Sequence, residues 1–347
     1  MASLWLAVVA CALPPGGFCR QIEHVQPVDW TRYGATTGIR SNDVFGQTLT
    51  TVLQNEARYE LRWVEAEQKL VSNLPGWEGV ECYSPRFDAY MLASAQAMMP
   101  HHPNVEKWRQ KASEYQVSAY SRQSDLTNGT LVDGKPAKDW LHGYNVFADG
   151  VLVNHNRVHP DYMLAQETCF ASMVAVSLAG QYIPQSMVFN AGLAYRALTE
   201  VRFTPGTDTK YGTGMAIAAP GGTIYYRTTD GGYSGDIYYP QGSDWTTKVT
   251  DGYLNMDLAA RQLGFDVGKP FSAMGWANAR AKSLLVLQNR AGHDGNIYQP
   301  GDWTAKYRGT DEVIFQSNAQ AWMQWWLTQN HMMSPVGDHW GPVWGGG

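Results

Sequence analysis

Apolar residues recur at helical spacing along most of the chain, in blocks of about 12 to 25 residues separated by aromatic-rich and Gly-rich loops. The clearest block runs from Phe45 to Leu74. Leu49, Val52, Leu53, Tyr59, Trp63 and Leu70 alternate there with charged positions, and Pro75-Gly76 ends it. Arg86 to Met99 follows with Ala and Met on its apolar face and closes at Pro100-His101-His102-Pro103. Asn104 is then placed to cap a helix through Val105, Trp108, Ala112, Tyr115 and Ala119. Pro160 to Leu178 and Pro184 to Glu200 each begin at proline, where a missing N–H costs nothing. Gly252 to Leu263, Ser272 to Asn289 and Asp311 to Asn330 complete the helical set. Successive short-linked helices in this number predict a mainly α fold, an (α/α) toroid of helical hairpins forming a single domain over residues 1–347.

The period changes at about residues 203–250. Lys210-Tyr211-Gly212-Thr213, Ile224-Tyr225-Tyr226-Arg227-Thr228 and Asp236-Ile237-Tyr238-Tyr239 are β-prone or turn-rich, with Gly231-Gly232 as a hairpin-like break. A long insertion with short strands is expected, of the kind that forms lids and binding loops.

Composition narrows the function. With 347 residues and 44% of them hydrophobic, the chain can bury a large core. A net charge of -5 and scattered Lys and Arg argue against nucleic acid as a partner, because phosphate binding needs a concentrated basic surface. The 14 Trp and 19 Tyr beside 10 Phe favour flat amphipathic rings, which stack on sugar faces as readily as they fill a core. Cys11, Cys19, Cys82 and Cys169 lack the spacing of a zinc site, so no metal is expected. Cys11 and Cys19 could close a short disulfide loop or remain free thiols. Ser3 to Leu13 is apolar but lacks a basic leader and is too short to span a membrane, and reads as a buried first helix stopped by Pro14-Pro15. Neither a phosphate loop nor a dinucleotide fingerprint is present, so no cofactor is expected.

The densest chemistry lies in Val153-Asn154-His155-Asn156-Arg157-Val158-His159-Pro160-Asp161-Tyr162. Two imidazoles, two carboxamides, a guanidinium, a carboxylate and a phenol in ten residues suit proton transfer beside a developing negative charge. The plain alternative is a structural turn in which the asparagines bond local backbone and Pro160 starts a helix. A second dense segment is Tyr238-Tyr239-Pro240-Gln241-Gly242-Ser243-Asp244-Trp245, with Tyr253 following.

These two segments resemble the helical-toroid polysaccharide lyases of the heparinase II/III and alginate lyase type. In that family an Asn-His pair before a helix and a Tyr after an Asp-Gly-Ser-aromatic segment surround a uronate. Asn154-His155 looks like the first element and Gln241 to Trp245 followed by Tyr253 like the second, with Gln241 where the family has Asp. The resemblance implies a metal-independent β-elimination on an acidic polysaccharide or oligosaccharide, by a secreted or cell-envelope monomer. Asn154 would hold the substrate carboxylate, His155 or Tyr253 would remove the C5 proton, and Tyr253 would protonate the leaving oxygen. Asn156, Arg157, His159, Tyr162, Tyr239, Gln241, Trp245, Arg86 and Trp77 are the candidate substrate contacts, with Arg86 pairing with Glu81 as its bland alternative.

Hydrolysis by two carboxylates is the rival chemistry, with Asp88, Asp161, Asp236 and Asp244 as candidates. Helix capping by Asp161 and turn formation by Asp244 are their structural alternatives. A third reading is a non-catalytic glycan-binding envelope protein whose aromatic loops only hold sugar. Trp322, Trp325 and Trp326 lie at helical spacing and read as core.

Overall fold

The computed structural model describes residues 84–243, 250–290 and 310–343. Phe45 to Leu74, Trp77, Cys11, Cys19, Cys82, Asp244, Trp245 and the N-terminal apolar stretch lie outside these residues. So do the side chains of Arg86, Asp88 and Cys169.

Helices dominate the described residues, and all strands there are two residues long, paired in two-stranded ladders with no closed sheet. Helix α1 (Ser84–Met98) and α2 (Val105–Ala119) form a hairpin. Asn104 holds the N-cap position of α2 but makes no capping bond through its side chain. Its own N–H donates to His102 Nδ1 at 3.1 Å, and the His102 ring stacks on Trp108 at 4.4 Å. Strands β1 (Leu131–Val132) and β2 (Lys135–Pro136) lead into the short α3 (Ala137–Trp140).

The helix expected over Pro160 to Leu178 is broken in two. Pro160 sits at the first turn of α4 (Pro160–Met163), and Leu164, at ψ 5, separates it from α5 (Ala165–Leu178). Asp161 and Tyr162 are drawn into polar contacts on α4, whereas α5 is apolar around much of its circumference and is buried among neighbours. Pro184 opens only a short 3-10 turn, Gln185–Val188, and not the expected α-helix. It ends β5 (Ile183–Pro184), and α6 begins only at Ala191 and runs to Thr199. Asn190 stops it there: its backbone is left-handed at φ 54, and its side-chain amide donates to Tyr120 O and Asp125 Oδ2.

The expected insertion contains β6 (Arg202–Phe203), β7 (Gly206–Thr207), β8 (Ala216–Ile217) and β9 (Gly222–Thr223). β6 pairs with β9 and β7 with β8, both antiparallel. Gly231-Gly232 turns the chain between the bridged residues Arg227 and Tyr233. Helices α7 (Thr250–Gln262), α8 (Ala273–Arg290) and α9 (Thr310–Gln329) follow, close to their expected bounds. The last strand, β10 (Val336–Gly337), returns to pair parallel with β5.

Helix α5 packs against α1, α7 and α9, and α7 in turn packs against α8 and α9. One apolar cluster gathers around α5, α6 and the insertion, through Phe170, Met173, Leu198, Tyr225 and Met256. A second lies between α7, α8 and α9, where Trp322 and Trp325 are buried and Trp326 packs against them. No helix among the described residues is long and apolar enough to cross a membrane.

Candidate functional site

The dense decapeptide folds as a tight β-hairpin running into a helix. β3 (Val153–Asn154) pairs antiparallel with β4 (Arg157–Val158), and the turn residues His155 and Asn156 have φ 50 and 57. Two consecutive left-handed residues define the type I′ turn, whose twist matches that of the flanking strands. Asn tolerates this conformation readily and His less so. The turn therefore holds an imidazole at an exposed tip at some cost in backbone strain.

Register decides which side chains share a face. Val153 stands opposite Val158, and both pack on the core. Asn154 stands opposite Arg157, so the carboxamide and guanidinium project together from the other face. Arg157 Nε is buried and has no hydrogen-bond acceptor among the described residues.

Three rings meet behind the tip. The Tyr162 hydroxyl lies 3.2 Å from His155 Nε2. His159, buried at 1% exposure, sets its ring edge-on to Tyr162 at 4.5 Å and to His155 at 5.7 Å. One residue before Tyr162, Asp161 is also buried at 1% and accepts hydrogen bonds from Tyr239 Oη at 2.8 Å and Tyr253 Oη at 3.0 Å. The two segments singled out in the sequence therefore meet at α4.

Burial does not distinguish Tyr162, at 4% exposure, from Tyr253. Tyr253 is 1% exposed, and its proton is committed to Asp161. Burial pushes both the Tyr253 and Tyr239 phenols well above their usual range, and the charge of Asp161 pushes them further. A phenol held in this way is a poor base near neutral pH. Tyr162, not Tyr253, is the tyrosine in contact with His155.

Gln241 also has a different position from a substrate contact. Its Oε1 accepts from Val158 N–H at 2.6 Å, and its Nε2 donates to Thr213 Oγ1 at 2.7 Å and Met215 O at 3.2 Å. Thr213 in turn donates from both N–H and Oγ1 to Asp208, which also accepts from the N–H groups of Lys210 and Tyr211. Gln241 thus fastens the hairpin to the insertion, with a further bond from Asn156 Nδ2 to Thr213 O at 3.5 Å.

Behind Tyr253 lies a pair that the sequence pattern did not single out. Arg280 on α8 donates from Nε to Asp257 on α7 at 2.6 Å, and both side chains are fully buried. Tyr195 Oη also donates to Asp257, at 3.1 Å. The guanidinium lies over the Tyr225 ring at 4.0 Å and over Tyr253 at 5.4 Å. Burial lifts Asp257 to about 6 against the pull of Arg280. Burial also opposes the charge on Arg280, but Asp257 outweighs it and raises the guanidinium, so the pair is ionised at neutral pH. Each helix carries three charged residues, so nothing in the sequence marked Asp257 and Arg280 as partners 23 residues apart.

Among the described residues, no three His, Cys, Asp or Glu side chains gather as metal ligands. No family model, curated protein or solved structure matches the chain.

Proposed function

We propose that this protein is a carbohydrate-active enzyme that cleaves an acidic, uronate-containing polysaccharide by β-elimination, on a scaffold that forms an (α/α) toroid. One observation carries the reading: an exposed imidazole, His155, in contact with a tyrosine hydroxyl, Tyr162, at 3.2 Å on a hairpin that also presents Asn154 and Arg157. The grouping matches what elimination next to a carboxylate requires.

In this mechanism Arg157 and Asn154 hydrogen-bond the uronate carboxylate and stabilise the charge that spreads onto it as C5 loses its proton. His155 Nε2 accepts that proton. The C5–H electrons form the C4–C5 double bond, the C4–O bond breaks, and Tyr162 protonates the leaving oxygen. His155 then returns its proton to Tyr162 across their direct contact, which restores both groups without a second base. Asp161, Tyr239 and Tyr253 are positioning residues: they fix α4, and with it the Tyr162 ring, beneath the hairpin.

The exposed tip also favours a polymeric substrate, which needs an open surface more than an enclosed pocket. Incubation with a panel of uronate polymers, followed by ultraviolet absorbance, tests the proposal. New absorbance from an unsaturated uronate is expected. Reducing ends released without that absorbance would replace elimination by hydrolysis, and binding without turnover would leave a glycan-binding protein.

A further inference from the structure

A cavity of about 260 Å³ opens at the start of α6, built from three separate stretches of chain. Arg122 enters from the turn after α2, Asn190 and Arg196 belong to the N-cap and last turn of α6, and Phe265 and Lys269 come from the loop after α7. Three cationic side chains therefore converge on one concave surface, with an aromatic ring as its apolar wall.

Their existing partners decide how much charge is left. The Arg122 guanidinium contacts Asp125 through Nε and Nη2, so Nη1 carries no protein bond among the described residues. Asp125 is fully engaged, because it also accepts from Arg122 N–H and Asn190 Nδ2. Hydrogen bonds from Arg122 and Asn190 hold its carboxyl below the usual range against the opposing effect of burial. Lys269 pairs with Glu200 at 2.5 Å on a solvent-facing edge. Arg196 is exposed and makes no ion pair among the described residues. Three cations against two carboxylates leave a net charge of +1, concentrated on Arg196 and the free edge of Arg122.

We propose that this cavity binds a small oxyanion-bearing molecule of about monosaccharide size, with the anionic group held between Arg196 and Arg122 and the rest of the molecule against Phe265. The shared chemistry is a phosphate or carboxylate on a compact polar body. A planar guanidinium pair suits either, and the volume exceeds that of a bare inorganic anion. The positive end of α6 faces the same space and adds to the attraction. Glu200 serves as an internal competitor, because it occupies the ammonium of Lys269 that would otherwise complete the grip. This site is separate from the hairpin and does not depend on the elimination chemistry proposed there.

The test is calorimetric or NMR titration of the full chain with inorganic phosphate, glucose 6-phosphate and glucuronate. Saturable binding with a dissociation constant of about 0.1–1 mM is expected for at least one sugar acid or sugar phosphate, tighter than for inorganic phosphate. Stronger binding of the phosphate ester or of the carboxylate distinguishes the two sources. Arg196→Ala should weaken binding about 10-fold or more. Glu200→Gln, which frees Lys269 without removing any cation, should tighten it several-fold. Both positions are exposed, and unchanged melting curves would show that the fold is intact. No saturation below about 10 mM, or binding indifferent to both substitutions, would overturn the proposal.

Discussion

Replacing Tyr253 by Phe separates support from chemistry in this site. The substitution deletes one hydroxyl, 3.0 Å from a buried carboxylate, and leaves the ring in place against Tyr225 and Arg280. Asp161 keeps its bond from Tyr239 at 2.8 Å, so the charge is not abandoned. A hydrogen bond to a charged group contributes about 1.5–3 kcal/mol, and that is the expected loss of stability. For 347 residues, at about 2.1 cal/mol/K each, the unfolding entropy near the midpoint is about 0.7 kcal/mol/K. The melting temperature should therefore fall by about 2–4 °C, measured by calorimetry. Under the proposed elimination, turnover of a uronate polymer by the folded variant should stay within a few-fold of wild type. Tyr162→Phe should do the reverse, lowering turnover by about 100-fold or more because it removes the hydroxyl facing His155. If Tyr253→Phe lost turnover with an unchanged melting curve while Tyr162→Phe stayed active, the assignment of the two tyrosines would be refuted.

Three further outcomes follow from the surrounding packing. Gly150, at φ +87, leads into the hairpin, and a Cβ there would lie 2.7 Å from Leu193 O and 2.9 Å from Leu193 Cγ. Gly150→Ala should cost about 2–4 kcal/mol in a urea melt, and an unchanged midpoint would disprove the close approach. Arg280→Met should cost about 3–5 kcal/mol because it strands the buried Asp257 charge, and adding Asp257→Leu should recover most of that loss; equal stability of single and double variants would contradict it. For Asp208, hydrogen bonds from the N–H groups of Tyr211 and Thr213 and from the Thr213 hydroxyl outweigh burial and hold the carboxyl below its usual value. The unfolded chain thus binds the proton first, so this stabilisation is complete above the unfolded carboxylate value and is lost as pH falls through the lower folded one. Wild type should lose stability across that acidic window more steeply than Asp208→Asn, and parallel pH profiles of the two in urea melts would show that Asp208 contributes nothing.

Long helices rich in apolar residues were the most legible part of the sequence. Arg86 to Met99, Gly252 to Leu263, Ser272 to Asn289 and Asp311 to Asn330 come within about two residues of α1, α7, α8 and α9, the spread expected at helix ends. Pro160 and Pro184 were harder to place, because proline suits a first helical turn and a strand end equally well. Tertiary bonding chose between these, with the β5–β10 pairing claiming Pro184. The segment Asn154 to Tyr162 is a tight turn with Pro160 opening a helix, as its structural reading had it, and the turn also gathers His155, His159 and Tyr162. Which tyrosine faces His155 could not be read from spacing. Tyr162 and Tyr253 are both buried, and what separates them is the partner, His155 for Tyr162 and Asp161 for Tyr253, a contact made only in the folded chain. The Asp257–Arg280 pair was hidden for the same reason, since each charge looks incidental on its own helix until the helices pack.

The central claim is the proton relay between His155 and Tyr162 on an acidic glycan. Its most direct test is the ultraviolet progress curve for an unsaturated uronate product, recorded with wild type, His155→Ala and Tyr162→Phe on the uronate polymer that gives the strongest signal. The relay predicts absorbance growth in wild type and a loss of about 100-fold or more in each variant, with melting curves showing that both remain folded. Full activity in either folded variant would contradict it.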